Sequence, residues 1–284
     1  MKVLVLNLNK KEQDFLFMSD LHLGHRNSDI PKIKKDLEEA KKRNCRIIIN
    51  GDIFDSIIPK DPRYMASYVD LELVKHTNIL DKMIDFGEKI LSPYAKYIDI
   101  ISDGNHEWEI NRRYGTNLII RLIERLNMKY GGNIQYGGYM YYACYKFTSN
   151  KTSRGGIKYL NILGHHGFGG SAPVSKGMID VARIREAGWI YDIFIFSHKH
   201  NGWAKRSGFV KPIVENTNNP RIRFDPLRDI QTGKYLKAVI LDNSVEAPDW
   251  QEKKGFGYIE SGGVFCKVKL VFDNYRRFDI KVEI

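Results

Sequence analysis

The chain carries five short polar clusters, each directly after an apolar run. They are Ser19-Asp20-Leu21-His22, Asn50-Gly51-Asp52-Ile53-Phe54-Asp55, Gly104-Asn105-His106-Glu107, Gly164-His165-His166-Gly167 and Ser197-His198-Lys199-His200. Of the eight histidines, only His25 and His76 fall outside them. Each cluster alone is weak, because an Asp after a strand is usually a turn former. Together they supply carboxylate, imidazole and amide oxygen, the donors that hold divalent metals of intermediate hardness. No cysteine takes part, which argues against a structural zinc site. Asp20, His22, Asp52, Asn105, His106 and two or three of the later histidines are too many ligands for one open site. Two ions are therefore expected. A shared carboxylate can hold two ions about 4 Å apart, an arrangement suited to in-line attack at phosphorus.

Such a constellation needs rigid elements to hold it. The runs at 14–20, 45–50, 95–101, 157–164 and 191–196 read as buried strands that end in the five clusters. Between them, 29–43, 69–91, 117–127 and 176–188 have helical spacing. Asp29 is placed to cap the first of these helices, with Pro31 in its first turn. Alternating strand and helix predicts parallel βαβ units, with function at the carboxyl ends of the strands. From residue 139 the chain turns β-rich, with a hairpin loop at 149–156 and closing strands near 264–272 and 278–284. Residues 216–234 are rich in Asn, Pro and Arg and read as a surface insertion loop. The whole, 1–284, is expected to be one α/β domain with a motif core over 14–215 and C-terminal strands over 235–284.

Composition sets the surroundings. The chain is 284 residues long, 43% hydrophobic and 28% charged, as a globular protein should be. No apolar stretch is long enough to span a bilayer, and the N-terminal apolar run reads as a strand rather than a leader. Three scattered cysteines, Cys45, Cys144 and Cys266, fit reduced core residues in a cytoplasmic protein. The formal net charge of +11 favours a polyanionic partner, of which nucleic acid is the usual one.

The ordered set SDLHLGH, NGDIFD, GNHE, GHHG and SHKH resembles the calcineurin-like metallophosphoesterase superfamily over residues 19–200. The resemblance implies a double β-sandwich flanked by helices, with a β-rich C-terminal extension here. It implies that Asp20, His22 and His200 bind one metal, that Asn105, His165 and His198 bind the other, and that Asp52 bridges them. His165 is preferred to His166 as the first histidine after the strand. His106 would protonate the leaving oxygen or stabilise phosphate charge, with Asp55 orienting its ring. Asn105 and His25 are candidate substrate contacts, and His76 is structural.

Two departures bear on the branch. Ser197 stands where the family usually has Gly, and GNHE replaces the commoner GNHD. Asp55 is followed by Ser-Ile-Ile rather than the Arg-Gly of protein phosphatases. The opening SDLHLGH is closer to the DNA-repair exonuclease-like branch. The expected activity is hydrolysis of phosphodiester bonds, those of nucleic acid first, with nucleotides, other small phosphate esters or phosphoproteins as the alternative. Mn²⁺ is the expected ion, with Fe, Zn²⁺ and Co²⁺ compatible. Trp108, Tyr114, Phe168 and Trp203 lie near substrate-side loops and could stack on bases.

Overall fold

Strand runs that are apolar at every position must be covered on both faces, and that requirement sets the layering. The structure, a computed structural model, describes residues 1–59, 61–148, 157–170, 175, 177–200, 202–213, 221–232, 235, 239–241, 244–246, 262–270 and 278–283. The first half contains β1 (Lys2–Leu8), β2 (Glu12–Met18), α1 (Ile30–Lys42), β3 (Arg46–Asn50), α2 (Leu71–Val74), α3 (Ile79–Leu91), β4 (Ile98–Ser102), α4 (Asn105–Tyr114), α5 (Leu118–Tyr130) and β5 (Gln135–Tyr136). The second contains β6 (Met140–Thr148), β7 (Ile157–His165), α6 (Met178–Glu186), β8 (Ile193–Phe196), β9 (Trp203–Ile213), β10 (Arg221–Gln231), β11 (Val239–Leu241), β12 (Ser244–Glu246), β13 (Val264–Leu270) and β14 (Phe278–Glu283).

Two six-stranded sheets form, in the orders β14-β13-β2-β3-β4-β5 and β1-β6-β7-β8-β10-β9. The strands β2, β3, β4 and β5 run parallel, as do β7, β8 and β10. Alternation along β2 sends Phe15 and Phe17 between the sheets and Leu16 and Met18 to the opposite face. Between the sheets, Phe15, Phe17, Ile48 and Ile100 meet Tyr145, Phe147, Ile162 and Ile195. Leu16, Ile47 and Ile49 pack instead under Ile33 and Leu37 of α1, Met83 and Ile84 of α3 and Leu122 of α5. On the far side, Leu163, Phe194 and Phe196 pack under Val181 and Ile184 of α6. The result is the helix-flanked double sandwich that the motifs imply.

Local signals explain most boundaries. The Asp29 side chain accepts from Lys32 N at 3.1 Å and starts α1. Asn117 caps α5 in the same way, accepting from Ile120 N at 2.8 Å. Three expectations fail. The helix expected over 69–91 is split, because Lys75 to Asn78 form a turn and Asn78 begins α3 anew. The helix α4, which starts on the metal-type cluster itself, has no counterpart in the sequence reading. Residues 221–231, expected within a loop, are the strand β10. Its alternation sends Ile230 between the sheets and Leu227 to the α6 side, whatever the local Arg and Pro content. Pro226 is tolerated because β8 pairs with β10 only from Arg228 onward, so its missing N–H costs no bond to that neighbour. The hairpin loop at 149–156 and residues 216–220 lie outside the described residues.

Phe15 packs edge-on against Tyr145 at 5.0 Å between the sheets and is fully buried. Phe15→Ala should destabilise the fold by about 3–5 kcal/mol and Phe15→Leu by less, measured by urea denaturation. Equal losses for the two would overturn this account, since the larger cavity left by Ala should cost more.

Candidate metal centre

The five clusters converge where β2, β3 and β4 of one sheet end beside β7 and β8 of the other. The chain bends sharply there. Among the described residues, seven non-glycine positions have positive φ, and five of them are Asp20, His22, Asp52, His198 and His200. Left-handed backbone is unfavourable for these side chains and persists only where the surroundings enforce it. Gly51 and Gly104 let the loops close up. A Cβ on Gly104 would collide with the Asp52 carboxylate, and one on Gly51 would strike the His166 ring.

Among the described residues, three groups have donor atoms within 4.8 Å of one another; Asp20–His22–His200 and Asp52–His166–His198 are the candidate metal triads, whereas in His22–Asp55–His106 both Nδ1 atoms are already engaged by Asp55. Asp20 Oδ1 lies 3.3 Å from His200 Nε2. His166 Nε2 lies 3.1 Å from Asp52 Oδ2 and 3.2 Å from Asn105 Oδ1. These separations match the edges, roughly 3.0–3.4 Å, of a coordination shell with bonds near 2.1 Å. The rings are held from behind. His22 Nδ1 donates to Asp55 Oδ1 at 3.2 Å, His166 Nδ1 to the Asn50 carbonyl at 2.8 Å, and His198 Nε2 to the Gly169 carbonyl at 2.9 Å. Anchoring one ring nitrogen to an acceptor and freeing the other is how metal-binding histidines are oriented. His22 Nε2 is buried and has no hydrogen-bond partner. An unpartnered buried polar atom is costly, and a cation shared with Asp20 would satisfy it. The residues present therefore fit two divalent ions.

Electrostatics agrees. Burial alone would raise the Asp20 carboxyl, but His200 and the charge on His166 bring it down to about 2. Burial likewise works against ionisation of Asp52, and the charges of His166 and His106 hold it well below the usual range. Burial disfavours a charged His166, yet Asp52 and Asp20 push it up to about 10. The cavity thus demands positive charge, and without cations a proton on His166 provides it. Burial and the His166 charge pull His198 down to about 4, so that ring is neutral and ready to bind.

Most sequence candidates meet here, with two corrections. His166, not His165, faces Asp52 and Asn105. His165 is the last residue of β7 and points to the α6 side, where its ring contacts Phe168 and Phe196. Its Nδ1 accepts from Gly167 N at 2.8 Å. The second is one of detail: Asp55 does hold His106, with Oδ1 3.8 Å from Nδ1, but the closer contact is its backbone carbonyl, and its carboxylate bonds His22. His106 Nε2 then faces Asp52 Oδ2 at 3.9 Å. His25 is buried against Tyr68, with ring centroids 5.5 Å apart. His76 lies exposed in the turn after α2, away from both triads.

Sequence reasoning missed the supports. Glu107 accepts from Gly104 N at 2.9 Å, Asp52 N at 3.2 Å and Phe54 N at 2.8 Å, tying the second and third clusters together. Burial and the nearby Asp52 charge raise it to about 8. Ser197, the departure from Gly, bonds Asn50 Nδ2 at 2.7 Å and Thr232 Oγ1 at 2.9 Å. Thr232 reaches Ser19 at 2.5 Å. The Glu107 spacing, three residues into a helix, is a readable capping signal, whereas Thr232 lies within 216–234, whose composition reads as a loop.

The profile of the calcineurin-like phosphoesterase family matches residues 14–208, more than half of the chain. The chain belongs to that family and is a metal-dependent hydrolase of phosphate esters. No curated protein matches it. Among solved structures, a predicted phosphoesterase from Streptococcus pneumoniae TIGR4 is 11% identical, with 95% of this chain and 88% of that chain covered and a TM-score of 0.33. GAP50 of Plasmodium, the anchor in the inner membrane complex, is 10% identical over 96% and 84%, with a TM-score of 0.48. A metallophosphoesterase from Sphaerobacter thermophilus is 12% identical over 84% and 85%, with a TM-score of 0.32.

Two outcomes follow from this geometry. His166→Ala should lose bound metal and His165→Ala should keep it, read by metal analysis after dialysis. The reverse pattern would restore His165 as the ligand. A cation must also displace the His166 proton, since that ring stays protonated up to about 10. Metal affinity should therefore rise with pH, about tenfold per unit for each proton released. Calorimetric titration with Mn²⁺ in buffers of different ionisation enthalpy counts those protons, and a count of zero contradicts the charge state given to His166.

Proposed function

We propose that this phosphoesterase is a dinuclear phosphodiesterase acting on nucleic acid. The observation that carries the substrate class is the formal net charge of +11, which attracts a polyanion to a site built for phosphate chemistry. Asp20, His22 and His200 would hold one ion, and Asn105, His166 and His198 would hold the other, with Asp52 as the carboxylate the two would share. Mn²⁺ is our choice of ion, because the donors are mixed oxygen and nitrogen without thiolate. Bound divalent cations neutralise phosphoryl charge and lower the pKa of an attacking water.

His106 is the proton donor in this reading. Its Nδ1–H is committed to the Asp55 carbonyl, which fixes the ring and turns Nε2 toward the centre. A protonated Nε2 can deliver its proton to the departing oxygen of a diester. Asn105 and the buried His25 stand beside it as the groups that border the scissile phosphate. The three cysteines are free, consistent with a reducing, cytoplasmic setting. No described helix is long and apolar enough to cross a membrane.

The test is cleavage of labelled single- and double-stranded DNA with Mn²⁺, with bis-p-nitrophenyl phosphate as a control for an assembled site. His106→Ala should retain both ions and lower turnover by roughly 10²–10⁴-fold. Asp52→Asn should lose metal as well as activity. An active control with intact DNA would overturn the nucleic-acid reading and move the search to nucleotides and other small phosphate esters. Loss of metal from His106→Ala would remove it from the proton-donor role.

A further inference from the structure

We infer that Trp108, Tyr139, His165 and Phe168 form a stacking wall for a nucleobase beside the metal centre. The inference rests on the nucleic-acid reading and names where the base of the bound nucleotide sits. The rings make a continuous edge-to-face chain. Trp108 meets Tyr139 at 6.3 Å and 77°, Tyr139 meets His165 at 5.5 Å and 85°, and His165 meets Phe168 at 5.5 Å and 76°. The same Tyr139 ring lies 5.7 Å from His166 in the second triad. The wall therefore begins where that triad ends.

Three features separate this wall from ordinary rim packing. First, Trp108 is 51% exposed although it is a large apolar ring. It sits in the first turn of α4, the same turn that supplies Asn105 and His106. Second, the neighbours are fixed. Tyr139 Oη donates to the Gly167 carbonyl at 2.7 Å, and Gly167 N donates to His165 Nδ1 at 2.8 Å. A rigid aromatic surface gains more from stacking because less freedom is lost on binding. Third, Tyr114, the other exposed aromatic of α4, ends the helix about a turn and a half beyond Trp108 and does not join it.

The position of His165 also acquires a purpose. It is displaced from the metal set to the face it shares with Phe168 and Phe196, yet Tyr139 links it to His166 of the second triad and a backbone donor holds its ring. With Nδ1 accepting from Gly167, its proton is placed on Nε2, so the ring presents an aromatic face and one donor. Stacking on such a surface is sequence-tolerant, since every base has a π-face.

The experiment compares kcat/KM with Mn²⁺ on a thymidine oligonucleotide and on a sugar-phosphate oligomer of equal length without bases. The wild type should prefer the base-bearing oligomer by about tenfold or more. Trp108→Ala should bring that ratio close to one, and Trp108→Phe, which keeps a ring, should retain most of it. Phe168→Ala, on the other side of the wall, gives a second independent reduction. A ratio that stays at the wild-type value in Trp108→Ala and Phe168→Ala, or a wild type with no preference, overturns the wall while leaving a nuclease. Cleavage of bis-p-nitrophenyl phosphate with neither oligomer cut overturns the nucleic-acid reading, and the wall with it.

Discussion

Asp20 and Asp52 are fully buried carboxylates held in neighbouring loops, and the structure around them is organised by that charge. Burying an ionised carboxylate costs several kcal/mol unless charge and hydrogen bonds compensate it. The chain answers with backbone donors and a histidine cage. His106 N donates to Asp52 Oδ1 at 3.0 Å and His198 N to Asp20 Oδ2 at 3.3 Å. His166 faces Asp52 Oδ2, and His200 faces Asp20 Oδ1. This arrangement is poorly satisfied by protons alone, as the buried His22 Nε2, which has no hydrogen-bond partner, shows. Divalent cations complete it.

The fold supplies the rigidity that the charge requires. The aspartates follow parallel neighbours β2 and β3, whose apolar registers Phe17 with Ile48 and Met18 with Ile49 fix the strand ends. The histidines His166 and His198 follow β7 and β8 in the other sheet. The shared core between the sheets already fixes these two halves against each other. A buried hydroxyl and amide chain, Ser19–Thr232–Ser197–Asn50, links them just beneath the centre. Ser197 is therefore a tether between sheets where a Gly would offer no hydroxyl. At the strained, left-handed site residues the loops also bond each other, Asp20 N donating to the Gly51 carbonyl at 3.0 Å and His22 N to the Asp52 carbonyl at 3.1 Å.

The sequence made the site legible because its residue types are rare at strand ends and recur five times. It made the helix-flanked sheets legible because apolar runs and helical spacing alternate. The His165 error has a geometric cause. Side chains alternate along β7, so Ile162, Gly164 and His166 share the face between the sheets, while Leu163 and His165 share the other. Counting from the end of the strand chose the wrong histidine, whereas its period would have chosen His166. The β10 error has a different cause. Arg, Asn and Pro density was read as a loop, although Leu227 and Ile230 already fit a strand covered on both faces. The hydroxyl tether was not legible, since nothing local joins Ser19 to Thr232 across 213 residues.

The placement of α4 settles a division of labour that the motif alone leaves open. A helix N-terminus is a ready anion site, and α4 begins at Asn105 beside the phosphate chemistry. Yet two donors at this end are already committed. Gly104 N, just ahead of the helix, goes to Glu107, and His106 N goes to Asp52. Those two donors thus brace carboxylates rather than a substrate phosphate. With Asp52 Oδ1 held this way, Oδ2 is the oxygen turned toward His166 and His106. Substrate charge is left to the cations and to side chains, and the exposed side of the same helix turn presents Trp108. One turn of helix therefore braces a ligand carboxylate, supplies Asn105 and His106 to the centre, and offers an aromatic ring to solvent at its edge.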